Sequence, residues 1–417
     1  VTQTVFNSVN VLMGVGLLSY PFVLRLSGWV GVLILLCLSF VSCHTAKLMG
    51  LMMDVPSGVK LREGPMSHKI LGFQDLAVVS LGRVGSLCIS LLFLGETFGY
   101  GCIYLIIEGD NLGKLLRRYA YFADWTNEAF MTLSFVIFMP LWWLRNLGLL
   151  SYFSALGAFA AASLFVGVAA SGLAGWEPNQ AYCPAPYTSC TGSIIHPSPT
   201  EMARWDAIPS VVGLGMVGFV GHAIFPTIRN DMKDRRQYNT AINVSYAIAT
   251  GVYLGIATAG YLMFGQACQE EITLNLGVSP FSQLTVWIIV INPLTKFPLS
   301  MAPIGLGCEQ AALSVLGLDS KGPLSLVVSL IVRTVLALAA LAIVSAVPSF
   351  GLVMGVIGAT CSFSLAVTLP SLFYLRISSN TLSWPSRAFY TLLVALGVVG
   401  AVLGTLSAIQ RHLSKDL

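Results

Sequence analysis

The chain is written in long apolar runs that return along its whole length, and this repetition constrains the fold more than any motif does. A membrane-spanning helix needs roughly 20 apolar residues, whereas barrel strands are shorter and alternate in hydropathy. The runs here are long and do not alternate. Hydropathy gives about eleven spans, at roughly 3–24, 28–53, 73–107, 129–144, 149–174, 208–228, 238–264, 280–302, 324–346, 349–375 and 386–409. With 56% hydrophobic and only 10% charged residues, and mean hydropathy +0.80, the 417-residue chain lacks the polar surface of a soluble globule. An all-α polytopic membrane protein is expected.

Charge sets the orientation. With a cytosolic N-terminus, the cytosolic loops and helix ends hold Lys60, Arg62, Lys69, Arg83, Arg145, Arg229, Lys233, Arg235, Arg236, Lys321, Arg376 and Arg387. The other side holds Arg25, Lys114, Arg117, Arg118, Arg204, Arg411 and Lys415 with most of the loop acids, so the positive-inside rule favours that orientation. Net charge is +4 without a basic run, which gives no reason to expect nucleic acid. The 175–207 loop then lies outside the cytosol with Cys183 and Cys190: an oxidising compartment would join them, and a reducing one would leave two thiols. Cys268 remains as an odd thiol in another such loop. The first residue is valine, so an N-terminal tail or targeting segment is expected to lie outside this sequence. No Walker A, CxxC, HExxH or nucleophile-elbow pattern is present, and neither enzymatic chemistry, a metal nor a cofactor is expected. Transport remains.

Two spans are interrupted where lipid tolerates interruption least. NVLMGVGLLSYP (Asn10 to Pro21) sets two glycines, a serine and a proline inside the first span, and GLGMVGFVGHAIFP (Gly213 to Pro226) repeats the pattern in the sixth. A pair of glycine- and proline-interrupted spans, one heading each half, is the sequence mark of an inverted-repeat transporter. Backbone groups freed by a break cost several kcal/mol in lipid unless satisfied. A zwitterion satisfies both kinds, its carboxylate meeting N–H groups and its ammonium meeting carbonyls. The plainer alternative is that Gly14 and Gly16 only admit a neighbouring helix while Pro21 ends the span.

These residues also resemble a family. TVFNSVNVLMGVGLLSYPF followed by SGWVG, then IIEGDNL (Ile106 to Leu112), GHAIFPTIRNDM (Gly221 to Met232), INPLTKFPLSMAPI (Ile291 to Ile304) and VPSFGLVMGVIGA (Val347 to Ala359), resemble the amino acid/auxin permease superfamily. The likeness is to its vacuolar amino-acid transporter branch, with the vesicular inhibitory amino-acid transporter more distant. It implies eleven spans in a LeuT-like 5+5 inverted repeat, with spans 1 and 6 unwound at the midplane. The repeats would be 1–174 and 208–375, separated by a lumenal loop at 175–207 and followed by an eleventh helix and C-terminus at 376–417. It also implies proton-coupled amino-acid exchange at an acidic organelle membrane.

Several residues then become candidates. Asn10, Met13, Gly14, Val15 and Gly16 at the first break, and Gly221 and His222 at the second, are expected to meet substrate, with the Tyr100 hydroxyl of span 3 as a further ligand or a packing group. Lys296 lies deep in span 8 between Pro293 and Pro298, and Glu96 lies within span 3. An ionisable group at that depth should face the bundle interior with a partner, and both are candidates for proton coupling, as is His222. The alternatives are a lysine snorkelling to the cytosolic face, a structural carboxylate and a hydrogen-bonded core histidine. Glu108 and Asp110 read as a gate or loop anchor, Arg333 and His44 as structural. Arg229, Asp231, Lys233 and Arg236 read as a solvated face. The expected protein is a secondary transporter whose partners are an amino acid, protons and the bilayer, with oligomeric state open. A transport-deficient sensor, an exporting symporter and a channel are the alternatives.

Overall fold

The computed structural model describes residues 1–54, 60–61, 64–65, 72–144, 147–174, 191–277, 280–319, 322–379 and 381–415. Its helices run α1 Thr2–Leu12, α2 Gly16–Ser27, α3 Val30–Met53, α4 Phe73–Leu116, α5 Asn127–Trp143, α6 Leu147–Leu173, α7 Ile208–Met216, α8 Phe225–Asn230 and α9 Tyr238–Phe264. They continue as α10 Ile272–Asn275, α11 Pro280–Leu316, α12 Pro323–Ala346, α13 Phe350–Ile357, α14 Leu369–Ile377 and α15 Trp384–Lys415. Among the described residues, seven helical segments are long and apolar enough to cross a membrane, and the pair α1–α2, bent by 57°, makes an eighth. The 17-residue α5, the 27-residue α6 and the α7–α8 pair bring the apolar segments among the described residues to eleven, in the expected order.

Local chemistry sets the boundaries. Thr126 caps α5 by accepting from the Ala129 N–H at 3.3 Å. Prolines near the N-termini of α7, α8 and α12 occupy positions whose N–H would have no helical partner. Two details depart from the sequence reading. Span 3 is bent at Gly82, whose φ of 74° leaves the helical region, so 73–81 is a segment apart from the membrane-crossing run. Span 10 widens into π-helical turns at Gly358–Ser362 and Ser364–Thr368. Among the helix glycines, Gly404 abuts Ala359 and Gly355 abuts Ala408, while Gly251 faces open space.

The chain forms two compact units, each drawing on both halves of the sequence. One comprises Val1–Phe93, Glu201–Gly255 and Met354–Leu417, the other Leu94–Thr200 and Ile256–Val353. The first contains both broken spans, packed around an aromatic cluster of Tyr20, Phe219, Tyr246 and Tyr253. The Tyr20 and Tyr253 rings meet edge to face at 4.5 Å between centroids. His44 is stacked on Tyr390 and bonded to its hydroxyl at 3.1 Å, a structural role.

The solvated face expected around Arg229 needs correction. Arg229 is 5% exposed, its guanidinium bonded to both carboxylate oxygens of Asp54 at 2.6 Å and lying over the Tyr238 ring, so it ties α8 to the end of α3. Cys268 lies in the connection between α9 and α10, as expected, and is buried there with its thiol directed at the Gly260 carbonyl at 3.3 Å.

In the second unit, Arg333 has the partner an intramembrane arginine needs. Its Nε donates to Glu309 at 2.6 Å, Ser329 donates to the same oxygen at 2.8 Å, and Nη1 donates to the carbonyls of Trp142 and Leu144. This node binds α5, α11 and α12. Cys183 and Cys190 lie outside the described residues, so the disulfide expectation is not addressed.

Candidate functional site

The first break is three residues long. Helix α1 ends at Leu12, and Met13, at φ −71° and ψ 75°, forms an inverse γ-turn in which the Gly14 N–H donates to the Leu12 carbonyl at 2.7 Å. Helix α2 restarts at Gly16, and its first turn closes through Leu17 N–H to Gly14 and Leu18 N–H to Val15. The N–H groups of Val15 and Gly16 precede that turn and have no backbone acceptor among the described residues. They mark the positive end of the α2 dipole.

The second break is longer. After α7 the chain tightens into a 3₁₀ turn at Val217–Phe219, extends at Val220 (φ −91°, ψ 136°), and turns through Gly221, His222 and Ala223 before α8 begins. Its freed carbonyls are held by side chains of the same unit. Tyr20 donates to Gly215 at 3.1 Å. Tyr246 and Ser42 both donate to Phe219, at 2.9 and 2.5 Å. The Tyr253 hydroxyl lies within donor reach of two carbonyls, Leu12 in the first break and Gly218 in the second, the latter at 3.1 Å. One phenol on α9 therefore fastens both breaks. The sequence reading missed these tyrosines; the signal available was a buried Tyr in each neighbouring span, each needing an acceptor.

The glycines divide by environment. A Cβ on Gly16 would lie 3.0 Å from the Gly218 Cα, and one on Gly218 would strike the Tyr20 hydroxyl, so this pair lets the two breaks touch. Gly221 is closed in by Phe225 and Val11. Gly14 differs: a Cβ there would meet only the Leu12 carbonyl oxygen, at 3.8 Å, so its outer face is open. Met13 and Val15 are buried, Asn10 is half-buried on α1, and its neighbour Asn7 is exposed.

His222 is fully buried. Its Nε2 lies 3.2 Å from the Ser42 carbonyl, which only accepts, and 3.0 Å from the Thr45 hydroxyl, so Nε2 carries the hydrogen. Nδ1 is then a bare acceptor, buried and without a partner among the described residues. A second proton on this ring would meet no acceptor there. Ala223, the next residue, helps wall a cavity of 340 Å³ that Phe73, Asp75, Ile89, Ser90 and Phe93 also line.

In the second unit, Glu96 is 4% and Lys296 7% exposed, so neither snorkels to a surface, and Tyr100 is half-buried one turn beyond Glu96. Pro293, Pro298 and Pro303 each remove a donor from α11 around Lys296, and Thr295 turns its hydroxyl onto the Asn292 carbonyl at 2.8 Å. Glu108, read from the sequence as a gate or loop anchor, is 1% exposed and belongs to the interior.

The comparisons match this architecture. The family model described as transmembrane amino acid transporter protein matches residues 1–410. Amino acid transporter AVT1D of Arabidopsis thaliana is 29% identical over 416 residues, covering 98% of this chain and 70% of that protein. AVT1J of the same plant is 29% identical over 422 residues, covering 98% and 90%. Two solved transporters share the LeuT-like fold. One is a Na⁺-coupled sialic acid symporter in a substrate-bound outward-open state, at TM-score 0.51 and 12% identity over 98% of this chain and 89% of that one. The other is Mhp1, a nucleobase-cation-symport-1 family transporter, in a closed conformation, at TM-score 0.52 and 14% identity over 97% and 90%. These two likenesses bear on the fold alone. With nearly its whole length matched, the chain belongs to the family of transmembrane amino acid transporter proteins.

Proposed function

We propose that the protein exchanges amino acids for protons across the membrane of an acidic, vacuole-like organelle, with its N-terminus in the cytosol and amino acids moving into the lumen. The observation that carries the reading is the first break. Gly14 presents an open face, and beside it the N–H groups of Val15 and Gly16 stand at the positive end of α2. An α-carboxylate is the anionic group common to all amino acids, and this is where it binds. The ammonium is received at the carbonyl end of α1 near Asn10 and Met13. His222 holds the second break through Nε2 and offers Nδ1 as an acceptor. Coupling is assigned to Glu96 and Lys296, whose burial makes their charge depend on which compartment's water reaches them. The two five-helix repeats, 1–174 and 208–375, supply the symmetry on which alternating access rests.

The test is uptake of a panel of radiolabelled amino acids into proteoliposomes with an acidified interior, repeated after an ionophore collapses the gradient. Accumulation that disappears on collapse is expected. Equal uptake under both conditions, or binding without accumulation, overturns the proposal.

A further inference from the structure

Span 3 carries a ridge of polar side chains four residues apart, Glu96, Tyr100, Tyr104 and Glu108, on the part of α4 beyond its bend at Gly82. At a rise of 1.5 Å per residue the ridge extends about 18 Å. Its middle is fixed to span 8, where the Tyr104 hydroxyl shares a hydrogen bond with Ser300 and Gly101 packs on Met301. On its far side Gly109 packs against Met131 of α5. Glu108 sits inside this packing, and neither of its carboxyl oxygens has a hydrogen-bond partner among the described residues.

The charged groups around it are engaged elsewhere. Lys114, on the same helix, donates to the carbonyls of Thr273 and Leu276. Asp110 accepts from Asn127 at 3.3 Å. On the α9–α10 linker, Glu271 accepts from Asn111 at 3.0 Å and Glu270 accepts from the Gly351 N–H at 2.6 Å. On α11, Glu309 is bound to Arg333, and Lys296 is buried. On α5, the acid Glu128 is exposed. An ionised carboxylate with no donor and no water costs several kcal/mol, whereas the neutral acid costs about 1–3. A carboxyl buried in this way, with no donor to hold its charge, is placed to take up and give up a proton.

We infer that Glu108 is the carboxyl that carries the exchanged proton through the membrane, loaded from the lumen and emptied to the cytosol. In loading, a lumenal hydronium gives up its proton and an O–H bond forms on a Glu108 oxygen. In unloading the same bond breaks to cytosolic water, and no electron is exchanged. The inference rests on the proton-exchange reading above and adds the carrier to it.

The test uses Glu108→Gln, which keeps the shape of the neutral acid and cannot release a proton. In proteoliposomes the variant should lose gradient-driven accumulation by about tenfold or more while retaining amino-acid counterflow, which needs no net proton movement. Substrate affinity measured between pH 5 and 8 should lose its pH dependence, and the carboxylic-acid carbonyl band in infrared difference spectra between those pH values should lose one component. Glu108→Asp, which can still titrate, should keep part of the coupled uptake. Gradient-driven accumulation by Glu108→Gln at the parent level, or an unchanged infrared band, overturns the assignment. Failure of the wild-type protein to respond to the gradient is a separate outcome that overturns the exchange reading itself.

Discussion

At the scale of the residue, Gly14 and Gly16 show how one amino acid serves two ends two positions apart. Adding a methyl at Gly16 drives it into the Gly218 backbone at 3.0 Å, where no side chain can move aside. The same methyl at Gly14 enters open space. Gly14→Ala should therefore fold with the thermal stability of the parent and bind amino acid about tenfold or more weakly, because the methyl occupies the face assigned to substrate. Gly16→Ala should lower the melting temperature in detergent. Equal stability loss in both would remove the distinction. Both glycines were visible in the sequence, but what each faces depends on residues some two hundred positions away. Tyr253 belongs to the same scale: as the donor shared by Leu12 and Gly218, its change to Phe leaves buried carbonyls short of a donor, at about 1–3 kcal/mol. Tyr246→Phe should cost less, because Ser42 still donates to Phe219. Thermal melts of the two variants side by side check the order.

At the scale of the element, most helices were legible from apolar run length alone, since lipid requires each span to satisfy its own backbone. What hydropathy could not register was the change of direction inside a continuous apolar run. The bend at Gly82 and the π turns of span 10 leave the composition of the run untouched, so only the backbone reveals them. The α9–α10 linker was similarly opaque, because a short acidic stretch between spans reads as solvated. There Glu271 is fully buried, and burial, followed by the neighbouring Asp110 carboxylate, pushes it well above the usual carboxylate range. The folded state thus binds this proton more tightly than the unfolded chain. The stabilisation is complete below the unfolded value near pH 4.3 and is lost as pH rises through the higher folded value. The protein should melt at a higher temperature at pH 5 than at pH 8, and Glu271→Gln should narrow that difference. A difference as large in the variant as in the parent would assign it to other groups.

At the scale of the whole molecule, the number and order of spans, the two breaks and the family were all legible, while the partition into units was not. Each unit gathers segments from both halves of the sequence, and hydropathy carries no information about such long-range gathering. Orientation is the molecular property that charge in the sequence does address, because basic loops are retained on the cytosolic side. The proposed exchange depends on it: a lumen that loads protons must be the side facing the α9–α10 linker and the 191–207 segment, and the cytosol must face the 231–237 turn. Two exposed positions report on this, Met202 before span 6 and Lys233 after it. With the exposed Cys37 and Cys88 replaced by serine to lower background, Lys233→Cys should react with a membrane-impermeant maleimide applied from the cytosolic side of intact organelles. Met202→Cys should react only once the membrane is opened. The reverse pattern would place the first break's access and the proton source on opposite sides from those proposed, and would convert uptake into export without changing a single contact in the fold.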